Sequence, residues 1–560
     1  MKRGVLIAIL ILVVFFLFLI LVAGFIYLQL NQEPYIPENA FLRINLAGEI
    51  DDSDDSFISR SLSIRDLFYH IKRAKKDPRI KGIILKISYL RTGLAKIEDI
   101  GKMVNDFKES GKPVFAFLES GGLREYYLAT FADKIYTPEG GYLFLKGLAS
   151  EATFLKHTLS KLGIQAEMFH IGEYKTAANM FTEDKMTPAH RESIQTLLDD
   201  IYEATLQGIA RNRNLELKLL KGIVEESPVL NSAYLQANLI DKIAYEDEIT
   251  KEFNTRTNIV DFDTYKETTS PRPFKGDQKI AVIFASGEIH SGESSNRALL
   301  QGKILGSDTL VDELKRARKS PRIAAVVLRI DSPGGSALAS DVIRREAELL
   351  TKKKPLVISM GDVAASGGYL ISVSSSKIMA LPHTITGSIG VISGKFVVKG
   401  LYDHIGVKKE IIKTSTYADM FSDYRHFSPG EKLKIQKMME AVYHSFLKLV
   451  ANSRNLKIEE VDKVARGRIW AGKTARELKL VDQIGGLLDA IDEAKKLAKI
   501  PPSEKVDIKI YPRKQSFLDF VFNVIDTKIH NPLKIDIEAR LQEYQHFFPA
   551  LIVPYRIVIH

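Results

Sequence analysis

Ser366 stands in GDVAASGGYLIS, residues 361–372, with two alanines before it, two glycines after it and an apolar run beyond. A lone hydroxyl among the smallest residues has two readings. One is a tight turn before a helix. The other is a backbone that must approach something reactive, with the Gly367 amide left open. A serine hydroxyl is a poor nucleophile unless a base stands beside it. Cysteine is absent, so a thiol nucleophile, a disulfide and a zinc-thiolate site are all excluded. His383 follows Ser366 in ALPHTITG and would make a Ser-His pair, although Pro382 and the threonines read as a turn and no acidic partner is near in sequence. Lys175, in HIGEYKTAANMF (170–181), is the other candidate base. A lysine titrates ordinarily near about 10.4, and burial lowers that value because desolvation disfavours the charged form. Ser388, in TITGSIGVIS (384–393), could orient such an amine. The turn DSPGGS (331–336) could present the amide of Gly334 or Gly335, together with that of Gly367, to a developing oxyanion.

Internal duplication is what joins these scattered residues. DPRIKGIILKIS at 77–88 matches SPRIAAVVLRID at 320–331, a shift of 243 residues, and LGIQAEMFHIGEY at 162–174 matches IGVKKEIIKTSTY at 405–417. At that shift Ser366 falls on Leu123, Ser388 on Leu145, and Gly334 and Gly335 on Arg91 and Thr92. Lys175 shows the opposite asymmetry, falling on Ala418. One site, with its nucleophile from one half and its base from the other, is the simplest reading.

The elements that must position these groups are short β-branched strands (KIAVIF, AAVVLRI, PLVISM) alternating with helical patterns (DTLVDELKRARK, LASDVIRREAELLTKK). That alternation predicts βαβ units and a mostly parallel sheet, an α/β fold present twice. The predicted organisation is an N-terminal stub and anchor at 1–30, a first repeat at 31–262, a linker at 263–278, a second repeat at 279–504 and an extension at 505–560. The extension reads as amphipathic and suited to packing on the body or on a neighbouring subunit.

The N-terminus carries Lys2 and Arg3 and then an apolar run with no charge before Glu33. A run of about 25 residues spans a ~30 Å hydrocarbon core, and no small-residue cleavage site follows it. The positive-inside rule places the N-terminus in the cytoplasm and residues 31–560 outside it. The net charge of +10 suits an anionic membrane surface, without the dense basic blocks of a nucleic-acid arm. No H-E-x-x-H or Walker pattern occurs and the remaining histidines lack ligand spacing, so neither metal nor nucleotide cofactor is expected.

With GEYKTA, DSPGGS, GDVAASGGY and TGSIGV in place, the chain resembles the long-form signal peptide peptidase A family, membrane-anchored Ser/Lys proteases of the ClpP/crotonase fold. The resemblance implies Ser366 as nucleophile, Lys175 as general base, Ser388 as its orienting partner, and Gly334, Gly335 and Gly367 as the oxyanion hole. It also implies digestion of released signal peptides at the outer face of the inner membrane by a homo-oligomer, a tetramer, that encloses its active sites. Two other classes compete: the acyl-CoA hydratases and isomerases of the same fold, and a non-catalytic membrane scaffold.

Overall fold

The computed structural model describes residues 4, 14–18, 21–22, 33–53, 61–251, 258–297, 302–512 and 550–552. Most of the predicted anchor, residues 5–29, lies outside the described residues. Among the described residues, no helix is long and apolar enough to cross a membrane.

The first half runs β1 (Ala40–Gly48), α1 (Ile64–Lys76), β2 (Ile80–Leu90), α2 (Leu94–Lys108), β3 (Val114–Gly121), α3 (Leu123–Ala129), β4 (Lys134–Thr137) and β5 (Tyr142–Leu143). It continues with α4 (Lys156–Lys161), β6 (Gln165–Ile171), α5 (Pro188–Arg213), β7 (Lys242–Ile243) and β8 (Asn258–Asp261). The apolar spacing Ile64, Leu67, Phe68, Ile71 makes α1 a one-faced helix, and the Ser63 hydroxyl caps it by accepting from Asp66 N. The parallel strands lie in the order β7-β4-β3-β2-β1-β8, with β5 beside β3.

The second half runs β9 (Lys279–Ser286), β10 (Glu288–His290), β11 (Ser295–Arg297), β12 (Gly302–Gly306), α6 (Ser307–Lys319), β13 (Ile323–Ser332), β14 (Gly334–Ser336), α7 (Ala337–Thr351) and β15 (Leu356–Ala365). After these come α8 (Gly367–Ser372), β16 (Lys377–Ala380), β17 (Ile385–Gly387), β18 (Val391–Val397), α9 (Lys399–His404) and α10 (Pro429–Arg454). The last elements are β19 (Ile469–Ala471), β20 (Gln483–Ile484), α11 (Leu487–Leu497), β21 (Asp507–Tyr511) and β22 (Ala550–Ile552). The strand path β20-β16-β15-β13-β9-β21, with β17 beside β15, repeats the first sheet. Helices α4 and α9 match residue for residue at 243, and α5 and α10 at 241, each pair ending in a left-handed asparagine, Asn214 or Asn455. The fold is therefore a tandem α/β repeat.

Two stretches are more tightly integrated than their composition suggests. Between 263 and 278, Tyr265 is fully buried with the Arg73 guanidinium 4.1 Å from its ring centre. Beyond 504, β21 pairs with β9 as β8 pairs with β1. A third, mixed sheet, β11-β12-β10-β14-β22-β18-β6, joins the halves: β6 comes from the first, and all its other strands but β22, from the C-terminal extension, come from the second.

Candidate active site

Ser366 sits at the sharp corner between β15 and α8. Its φ of 56° and ψ of −113° are unusual for a residue with a side chain, a strain often found at functional corners. The corner is held by Ser366 N donating to Gly387 O at 2.8 Å and Leu370 N donating to Ser366 O at 2.9 Å. Behind it, Gly367 packs against Gly334 and Gly335; a side chain there would fall 3.2 Å from Gly334 Cα and 3.3 Å from Gly335 N. Gly334 N donates to Ser332 Oγ at 3.2 Å, so that amide serves its own turn.

Lys175 arrives from the other half. Strand β6 pairs antiparallel with β18 over seven residues, from Val391 opposite Ile171 to Val397 opposite Gln165. Ser388 lies just before β18 and Lys175 just after β6, so this register sets them side by side. Lys175 Nζ lies 2.7 Å from Ser366 Oγ, 2.9 Å from Ser388 Oγ and 3.1 Å from Ser388 O. All three side chains are fully buried. Burial alone drives the Lys175 amine well below its ordinary value.

A strut not anticipated from the sequence fixes this meeting. Tyr174 N donates to Arg466 O at 2.9 Å, Ser388 N to Arg468 O at 2.7 Å, and Gly467 N to Ile389 O at 2.7 Å. Residues 466–468 thus hold the lysine segment and the serine segment together. Gly467, at φ 81°, has no room for a side chain, since an added Cβ would lie 2.4 Å from Lys175 Cβ. Repeat comparison offered a signal for it: at the 241-residue offset of this region the first half carries Glu226.

His383 is placed elsewhere in function. Its Nδ1 lies 2.8 Å from Glu98 Oε2 of the first half, its ring packs on Tyr127, and its Nε2 meets no partner. It therefore does not reach Ser366, which corrects the Ser-His alternative. Between β14 and β18 lies a strand-wide slot filled by β22. Leu551 stands opposite Gly335, and Ala550 opposite both Ser336 and Ile392, antiparallel on both sides.

The model of peptidase family S49 matches residues 106–260 and 348–501, one segment in each half. The chain belongs to peptidase family S49. It is 32% identical to the chloroplastic serine protease SPPA of Arabidopsis thaliana over 88% of this chain and 74% of that protein. It is 32% identical to Protease 4 of Salmonella typhi over 94% of this chain and 89% of that one. Protease 4 of Haemophilus influenzae is 31% identical over 84% and 78% respectively. This S49 chain is a serine protease whose fold sets two serines, Ser366 and Ser388, against a buried amine.

Proposed function

We propose that this S49 peptidase works by a Ser/Lys dyad, with Ser366 as nucleophile and Lys175 as general base, and that its substrates are signal peptides released from preproteins. The observation that carries the reading is the 2.7 Å approach of Lys175 Nζ to Ser366 Oγ inside a buried site. A neutral amine has two N–H bonds and one lone pair. Ser388 Oγ and Ser388 O accept the two N–H bonds, and the lone pair is left facing the Ser366 hydroxyl. Lys175 takes the hydroxyl proton as Oγ attacks the peptide carbonyl carbon. The carbonyl electron pair moves onto oxygen, which the amides of Gly335 and Gly367 receive, Gly334 being engaged in its own turn. Collapse expels the amine, which takes the proton back from Lys175, and water then repeats the sequence on the acyl-enzyme.

The slot between β14 and β18 supports a peptide substrate in extended form, and the three residues seated in it, Ala-Leu-Ile, are apolar like a signal-peptide core. The apolar run at 5–29 and the charges at Lys2 and Arg3 support a single-pass anchor in the inner membrane, body outside. The ClpP/crotonase architecture, named through the resemblance, suits the same assignment. Cleavage of apolar signal peptides by the purified wild-type protein, abolished in Ser366→Ala, is the expected result. Equal turnover of polar, unrelated peptides would remove the substrate class and leave the protease.

The repeat also supports a homo-oligomer. At the 243-residue shift, β18 corresponds to 148–154 and β6 to 408–414. Among the described residues neither stretch joins a sheet, and Ile412 is 98% exposed. In the β6–β18 register, Ser150 of one copy would face Ile412 of the next, and so on around a closed ring. The chain has no cysteine, so Ser150→Cys with Ile412→Cys gives a clean cross-linking test. Oxidation should produce a ladder of linked chains, and a product confined to monomer would reject the ring contact.

A further inference from the structure

The mechanism above leaves two motif residues unused, Asp331 at the start of DSPGGS and Asp362 in GDVAASGG. Both lie in an irregularity directly before the catalytic corner. Ile330 pairs with Met360, but Ser332 pairs with Ala364, so β15 carries extra residues at 361–363. Bulges beside active sites re-aim the residues that follow. Asp331 spans the gap, its Oδ1 accepting from Val363 N at 3.0 Å. Asp362 turns to the first half, accepting from Gly93 N and Lys96 N at 3.0 Å each. It thereby caps α2, whose own cap residue, Gly93, has no side chain to offer. A Cβ on Gly93 would fall 2.2 Å from the Asp362 carboxyl carbon.

Lys96 closes this arrangement. Its Nζ lies 2.7 Å from Asp331 Oδ2 and 3.6 Å from Asp362 Oδ2, nearly out of reach of solvent. Beside it, Arg329 meets Asp52 at 3.0 Å, and Asp99 accepts from Leu487 N at 2.8 Å. The repeat comparison that isolates Lys175 isolates Lys96 as well. At a shift of 243, Lys96 falls on Ala339, Asp331 on Ser88, Asp362 on Glu119, and Gly93 on Ser336, which caps its own helix. An ion cluster that merely glued two equivalent halves would have no reason to gather at the bulge leading into Ser366.

We propose that Lys96 is a positioning residue for catalysis: by holding Asp331 and Asp362, it locks the oxyanion turn and the nucleophile strand to the half that supplies Lys175. The first half then contributes two lysines, one that moves a proton and one that holds the frame. The inference rests on the Ser/Lys reading.

The test uses the full chain, with Lys96→Met, Asp362→Asn and Ser366→Ala beside the wild type. Readouts are kcat and KM on a fluorogenic peptide, affinity for a peptide boronate that forms a tetrahedral serine adduct, and thermal melting. Folded Lys96→Met should lose about 10²-fold in kcat with KM nearly unchanged, and boronate affinity should fall in parallel. The ascending pH limb should stay where the wild type has it. Asp362→Asn keeps an acceptor for Gly93 N and should lose about tenfold in kcat. A kcat per folded molecule close to wild type overturns the proposal, as does a displaced pH limb, which would mean that Lys96 acts on the charge of Lys175. If Lys96→Met does not fold, Asp362→Asn decides, and unchanged kcat rejects the idea. A wild-type protein that cleaves no peptide would count instead against the Ser/Lys reading.

Discussion

The two halves share a strand path and differ at the tips of the same strands. Where the second half has Ser366 and Ser388, the first has Leu123 and Leu145, both buried in its core. Where the second half has the Gly334–Gly335 turn, the first has Arg91 and Thr92. Arg91 N donates to Gly48 O at 2.7 Å, and the Thr92 hydroxyl accepts from Ile50 N at 2.8 Å. The first copy thus packs Leu123, Leu145 and Thr92 into its interior at the tips where the second carries serines and glycines. One backbone can be a packed end or a reactive one, and a handful of side chains decides which.

The largest effect should come from removing one member of the pair. Ser366→Ala and Lys175→Ala should each cut kcat by at least about 10⁴-fold without unfolding the protein. Near-normal turnover by a folded Lys175→Ala variant would sink the dyad. The counterpart change, Leu123→Ala, should leave kcat intact and cost about 2–5 kcal/mol of stability, read by chemical denaturation. An activity loss there beyond the unfolded fraction would mean the first-half tip is not inert.

Gly467→Ala comes next. Its added methyl group meets Lys175 at a positive φ, so kcat should fall about 10²-fold with little change in KM. Unchanged kinetics would remove the strut from the machinery.

Lys175 also makes a prediction in pH. As a base it works neutral, so activity should rise with pH through its depressed folded-state value. Folding expels its proton at neutral pH, a cost that fades as pH climbs toward the unfolded value of 10.5. Lys175→Met should therefore melt higher than wild type at pH 7, with the difference shrinking toward pH 10. A gain constant across that range would mean that the lysine is charged in the fold.

The smallest effect should follow from ending the chain after Tyr511. This removes β22 from the slot beside Gly335 while keeping β21, and KM for an added peptide should fall a few-fold with kcat little changed. An unchanged KM would mean that β22 does not compete with substrate.

Much of this site was legible in the sequence because duplication supplies its own control. A serine or glycine pair present at a strand tip in one copy and absent in the other needs no structure to be noticed, and Lys175 against Ala418 was found in the same way. Lys96 against Ala339 and Gly467 against Glu226 carry the same signature. Nothing local marks either of them, since Lys96 lies in an ordinary helix and Gly467 between two arginines. The alternation of strands and helices, the doubled α/β fold and the candidate nucleophile are consequences of residue type and spacing, since period and turn chemistry act over a few neighbours.

Tertiary structure alone decided the rest. Ser366 and Lys175 are 191 residues apart, and the β6–β18 pairing between the halves, with the strut at 466–468, brings them within 2.7 Å. Whether that lysine is a base depends on burial, a property of everything packed around it. His383 had an acidic partner after all, Glu98, but 285 residues away in the other half. Residues 550–552 could be read as apolar, yet their place between β14 and β18 depends on strand edges that exist only once the halves have folded together.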